Sequence, residues 1–143
     1  MPSLSRQARH GHLKSILIAD GDEHVAQMFA EVFASHGWHV TTCRDSRRAG
    51  EDLRGSAHYD AVLVGYRFEG VDGVDLIKQI RALDHRQDVA IVMVTGIAEV
   101  SVMAAALTAG ADDVLYKPTD VAIVVATVNK CVERRGDGRH KHT

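Results

Sequence analysis

Four positions in this chain stand where a protein of alternating strands and helices does its chemistry. Asp20 follows the apolar run Ser15-Ile16-Leu17-Ile18-Ala19, and Gly65 follows Ala61-Val62-Leu63-Val64. Thr95 follows Ala90-Ile91-Val92-Met93-Val94, and Lys117, with Pro118 behind it, follows Val114-Leu115-Tyr116. Short apolar runs without polar alternation suit strands covered on both faces. In an open parallel sheet the site forms beyond the carboxyl ends of such strands, where the strand order reverses. The four positions therefore bring a carboxylate, a hydroxyl and an amine together around a residue that has no side chain. An anion could sit between Thr95 and Lys117. An enzyme would need a nucleophile and a base at these strand ends, and no such pair converges there. Neither a GxGxxG run nor a P-loop pattern accompanies them.

The elements that position these residues follow from the hydrophobic pattern. After Asp20, the residues Val25, Met28, Phe29, Val32 and Phe33 recur at helical spacing, and Gly37 ends that helix. His39-Val40-Thr41-Thr42-Cys43 reads as a second strand, and Asp45 or Ser46 can cap a short polar helix to about Arg54. A third helix is expected over Val74 to Leu83, with Val74, Ile77, Ile80 and Arg81 in helical register. An alanine-rich fourth helix runs from Ala98 to Ala109 and closes at Gly110, and a fifth runs from about Asp120 to Arg134. Five strand–helix units with short loops require a parallel sheet with helices on both faces and right-handed crossovers. The expected fold is a flavodoxin-like (βα)5 three-layer sandwich with strand order 2-1-3-4-5.

At 143 residues the chain is one domain with enough length for a real core. The body is expected over 14–135, between flexible tails at 1–13 and 136–143 that are polar and rich in His and Arg. His10, His12, His140 and His142 lie in those tails with no converging third ligand, so no metal and no cofactor is expected. A net charge of −2 gives no footprint for nucleic acid. No apolar run approaches the roughly 18 residues that span a bilayer, and Cys43 and Cys131 have no CxxC spacing. Both cysteines are expected to be reduced, in a cytoplasmic protein without a membrane partner.

The strand-end residues, with Asp72-Gly73 beyond Gly65 and Ala109-Gly110-Ala111-Asp112-Asp113 before the fifth strand, resemble the receiver domains of response regulators, the CheY-like family. The resemblance covers the whole body of the chain. It implies a site in which an aspartate ending strand three takes a phosphoryl group from a phosphohistidine. Two acids after strand one hold Mg²⁺ there, and the Thr and Lys neutralise the phosphoryl oxygens. Lys117-Pro118 matches the family's Lys-Pro pair, usually joined by a cis peptide.

Against that pattern the chain keeps Asp20, Thr95 and Lys117, and carries Gly65 for the acceptor and Gly21 for the second acid. Glycine is no nucleophile, and one carboxylate is a poor anchor for a cation that prefers about six oxygens. Asp22 and Glu69 are expected to face solvent, Asp60 to lie at the opposite end of the sheet, and Tyr66 to be no substitute. Each retained residue also has a structural reading: Asp20 as a helix cap, Thr95 as a hydroxyl satisfying loop amides, Lys117 as the partner of Asp20 across the gap. Aspartate at 21 or 65 is expected to meet backbone angles it tolerates poorly. The family's aromatic switch position on strand five is Val114, too short and too stiff to report on the site. Tyr116 is expected on the other face.

Helices four and five carry more apolar positions than one buried face requires. Val100, Met103, Leu107, Val114, Ile123, Ala126 and Lys130 form an expected interaction surface, on the family's usual partner and dimer face. The expected function is a receiver domain that acts without phosphorylation, by contact with a histidine kinase, another response regulator or an output domain, or as a homodimer through helix four, strand five and helix five. The alternative is a small-ligand or anion sensor that uses Asp20, Thr95 and Lys117.

Overall fold

The computed structural model describes residues 13–96, 100–117 and 119–141, with side chains through 136. Its five strands are β1 (Ser15–Ala19), β2 (His39–Cys43), β3 (Ala61–Val64), β4 (Ala90–Thr95) and β5 (Asp113–Tyr116). They form one parallel sheet of order β2-β1-β3-β4-β5. The helices are α1 (Glu23–Ser35), α2 (Ser46–Arg54), α3 (Gly73–Arg81), α4 (Val100–Ala109) and α5 (Val121–Lys141), with a 3₁₀ turn at Asp84–Arg86.

The period-two alternation of the strands sorts the core into two layers. Leu17, Ala19, Val62, Val64, Ile91, Met93 and Val114 pack under α2, α3 and α4. Ile16, Ile18, Ala61, Leu63, Val92 and Val94 pack with Phe29, Phe33, Val124 and Val128 under α1 and α5. Val114 and Tyr116, two residues apart, contribute to the same layer, while Leu115 contributes to the other. The expectation that Tyr116 faces away from Val114 is therefore corrected: a spacing of two returns a strand to the same face.

The caps follow local rules. Asp22 accepts from the backbone N–H groups of His24 and Val25 and caps α1, Asp45 caps α2 and Asp72 caps α3. At the end of α1, Gly37 takes φ +88° while its N–H and that of Trp38 bond the carbonyls of Ala34 and Phe33. That pairing is a Schellman motif and needs the glycine. Met28, placed by spacing on the buried stripe of α1, is instead 44% exposed.

Helix α5 continues to Lys141, beyond Arg134, where the fifth helix is expected to end. Gly136 and Gly138 fall in the expected flexible tail 136–143, and glycine costs about 1 kcal/mol within a helix. Here the helix passes through both. Pro118, the start expected for the fourth helix at Ala98, and His10, His12 and His142 lie outside the described residues. No helix among the described residues is long and apolar enough to cross a membrane.

Candidate functional site

The carboxyl ends of β1, β3, β4 and β5 bring Asp20, Gly65, Thr95 and Lys117 together, as their strand positions predict. Asp20, Thr95 and Lys117 line a cleft of about 800 Å³ with Gly21, Asp22, Tyr66, Arg67, Phe68, Glu69 and Gly96. The Gly65 N–H donates to the Ala19 carbonyl (2.8 Å), and the Lys117 N–H donates to the Thr95 carbonyl (2.8 Å). The ladder thus extends one step past the strands and fixes all four backbones.

Asp20 is the centre of the cleft. Its Oδ1 accepts from the Asp22 N–H (2.9 Å), and its Oδ2 lies 3.5 Å from the Lys117 ammonium. The carboxylate is buried, and burial pushes its pKa above the ordinary value, against the opposing pull of the Asp22 N–H and Lys117. Desolvation is the larger effect: Lys117 stands at the long end of ion-pair range and a third of its side chain is exposed. Of the two structural readings open for Asp20, the cap belongs to Asp22 instead, and the pairing with Lys117 is present.

The two glycines are explained by what surrounds them. A Cβ on Gly65 would lie 2.7 Å from Asp20 Oδ2 and 2.9 Å from its Cγ. The Asp20 carboxylate therefore occupies the space into which a side chain at position 65 would project. A Cβ on Gly21 would lie 2.5 Å from the Arg67 carbonyl oxygen, so the β3–α3 loop rests directly on the turn after β1. Neither glycine has positive φ; that region is used by Gly37, Gly70 and Gly110. The expected obstacle of backbone angle at 21 and 65 is corrected to one of crowding. Gly73, which opens α3, packs against the Gly65 carbonyl so closely that any Cβ there would collide with it.

The donor set does not fit Mg²⁺. Asp20 is engaged by an N–H and an ammonium, positions 21 and 65 offer no side chain, and Asp22 is committed to the α1 cap. Among the described residues no three His, Cys, Asp or Glu side chains are grouped to hold a metal. Glu69 is exposed, and Asp60 accepts from the Ser15 N–H (2.8 Å) at the opposite edge of the sheet.

With this geometry in place, comparison with known proteins gives a consistent result. Residues 16–129 match the family described as the response regulator receiver domain. The chain belongs to that family. It is 29% identical over 133 residues to the regulatory protein AtoC of Escherichia coli, covering 91% of this chain and 28% of AtoC. It is 32% identical over 123 residues to the transcriptional regulatory protein PrrA of Mycobacterium leprae, covering 85% of this chain and 51% of PrrA. The chain thus spans about half of PrrA and less of AtoC.

Among solved structures, a two-component response regulator from Clostridium difficile superposes with TM-score 0.78 at 29% identity, covering 85% of this chain and 97% of that one. A CheY-like receiver domain from Methanospirillum hungatei gives TM-score 0.83 at 20% identity, over 89% and 99% of the two chains, and supports the fold. Receiver domains are signalling modules of two-component systems that work with histidine kinases and output domains.

A second cluster, at the amino edge of the sheet, was not singled out by sequence. Asp112 Oδ1 accepts from Arg135 Nη2 (2.7 Å), and its Oδ2 accepts from Arg81 Nη2 (3.3 Å) and the Ile91 N–H (2.8 Å). Arg81 also donates to the carbonyls of Gly110 (3.0 Å) and Val89 (2.7 Å). Its side chain crosses where a Cβ on Gly110 would stand. Burial lowers the Arg81 pKa, and Arg135 lowers it further, with Asp112 pulling the other way. Nothing in the spacing of Arg81, which reads as one more member of a helical stripe, signals this role.

Proposed function

We propose that this receiver domain no longer accepts a phosphoryl group and signals by protein contact through the face of α4, β5 and α5. The observation that carries the reading is the Asp20 carboxylate filling the side-chain space of Gly65 while paired to Lys117. A phosphoryl transfer needs an acceptor oxygen, a cation and a free Lys to meet the developing charge. Position 65 supplies no oxygen, the donor set does not suit Mg²⁺, and the ammonium is turned to Asp20. Incubation with acetyl phosphate or phosphoramidate and Mg²⁺ is expected to leave the intact mass unchanged, and a phosphoryl increment on the folded domain would overturn the reading.

The contact surface rests on exposure. Val100 is 77% exposed, Ile123 53% and Leu107 45%, beside exposed Ala126 and Lys130 and half-buried Met103. Val114 is buried and leaves the surface; it supports α4 from below. Helix α4 has no charged residue from Val100 to Ala109. The partner is a histidine kinase, another response regulator, an output domain or a second copy. Light scattering separates the last from the others: a dimer dispersed by Ile123→Glu assigns the surface to self-association.

A small-ligand sensor draws support from the volume of the cleft. It is the weaker reading, because the space beside Gly65 and the ammonium that would attract an anion are both taken by Asp20. Thermal stabilisation by inorganic phosphate or a nucleotide would restore it.

A further inference from the structure

We propose that Gly65 works as one half of a built-in latch: it admits the Asp20 carboxylate to a position from which it holds Lys117, and so fixes the end of β5 and the α4 face above it in a single state. The inference rests on the proposed loss of phosphorylation and adds what took its place.

Three observations meet at the latch. Oδ2 of Asp20 lies where even a methyl group on residue 65 would be too close, at 2.7 Å. The same oxygen is the one nearest Lys117 Nζ, at 3.5 Å, while Oδ1 is anchored to the Asp22 N–H. Lys117 is bound through its own N–H to the carbonyl of Thr95, so the ion pair spans from β1 across the end of β3 to β4 and β5. On β5, Val114 and Tyr116 belong to the layer that includes Val102, Met103 and Ala106 of α4. A pull on Lys117 therefore acts on the strand that supports the exposed face.

Gly21 completes the closure. Only without a Cβ can the Arg67 carbonyl come down on the turn after β1. The loop is held from its other side by the Ser46 hydroxyl, which donates to the Glu69 carbonyl (3.1 Å). In this arrangement the two glycines are positive requirements of a closed pocket. The remaining charged groups that line the cleft, Asp22, Arg67 and Glu69, are all exposed.

A double-mutant cycle on the full chain tests the latch without reference to phosphorylation. Gly65→Ala should expel the carboxylate and lower the melting temperature by roughly 5 °C. In an Asp20→Ala background the same Gly65→Ala should leave it unchanged or raise it, because the methyl group then enters empty space. Equal shifts in both backgrounds would overturn the latch.

The coupling to the face has its own readout. Backbone amide shifts of Val102, Val114 and Tyr116 should move in the same direction in Gly65→Ala, Asp20→Ala and the milder Asp20→Asn. Shifts confined to residues around the cleft would reduce Asp20 to local packing and overturn the coupling. Phosphoryl labelling of the unmodified chain would sink the proposed function but leave the cycle's outcome standing. An additive cycle with no labelling would sink the latch alone.

Discussion

The two edges of the sheet have been treated differently. At the carboxyl edge, where Asp20, Thr95 and Lys117 meet, a buried carboxylate and an ammonium stand 3.5 Å apart. At the amino edge, Asp112 accepts from two arginines and a backbone N–H, and Arg81 carries that network on to the carbonyls of Gly110 and Val89. The contrast lies in the number of elements that one side chain ties together. Clustered carboxylates without their cation repel one another, so glycine at 21 and 65 removes two sources of repulsion from the carboxyl edge. At the amino edge, α3, the segment before β4, the α4–β5 turn and α5 are all joined through Asp112.

If that division is right, the largest effect belongs to the amino edge. Asp112→Ala leaves two partly buried guanidinium groups and the Ile91 N–H without their acceptor, and should cost about 3 kcal/mol in urea unfolding. A loss no greater than that of Asp20→Ala would erase the distinction between the edges.

Next in size is the attempt to rebuild the pocket. Gly21→Asp drives a Cβ against the Arg67 carbonyl and should cost about 2 kcal/mol, within the range for overpacking. Gly65→Asp meets the Asp20 carboxylate, which must leave its place beside Lys117 to admit the new side chain. The double replacement should therefore show no saturable Mg²⁺ binding by calorimetric titration until the loop after β3 is displaced. Tight binding would mean that the loop yields easily and the pocket is less closed than its contacts indicate.

The smallest effect is a pH dependence. The pKa of Asp20 is raised in the folded state, so the folded chain binds that proton more tightly than the unfolded one. The contribution of Asp20 to stability is then full below its unfolded pKa and falls as pH rises through the folded value. The stability of the parent relative to Asp20→Asn should accordingly improve as pH falls from 7 into the acid range. The opposite slope would show that Lys117 outweighs desolvation and that the carboxyl edge is a strong ion pair after all.

How much of this could be read from the sequence follows from the range of each interaction. The strand ends were legible because apolar runs announce buried strands, and the sheet then dictates that Asp20, Gly65, Thr95 and Lys117 meet. The pairing of Asp20 with Lys117 was legible from their strand-end positions and from charge, since a half-buried ammonium beside Gly65 needs an acceptor. The face of Tyr116 was misjudged, although the period of a strand settles it. Contacts made through space left no local mark: Gly21 gives no sign that the Arg67 carbonyl will rest on it. Arg81 gives no sign of an aspartate on a different loop. The extension of α5 past Gly136 runs against propensity.

The uncharged surface of α4 has a consequence for how any complex formed there behaves. With no ionic group between Val100 and Ala109, attraction across it comes from displaced water, whose contribution near room temperature is mainly entropic. A contact confined to α4 is nearly indifferent to ionic strength and loosens on cooling. A chilled lysate is therefore the poorest place to look for the partner, and a warm one the best.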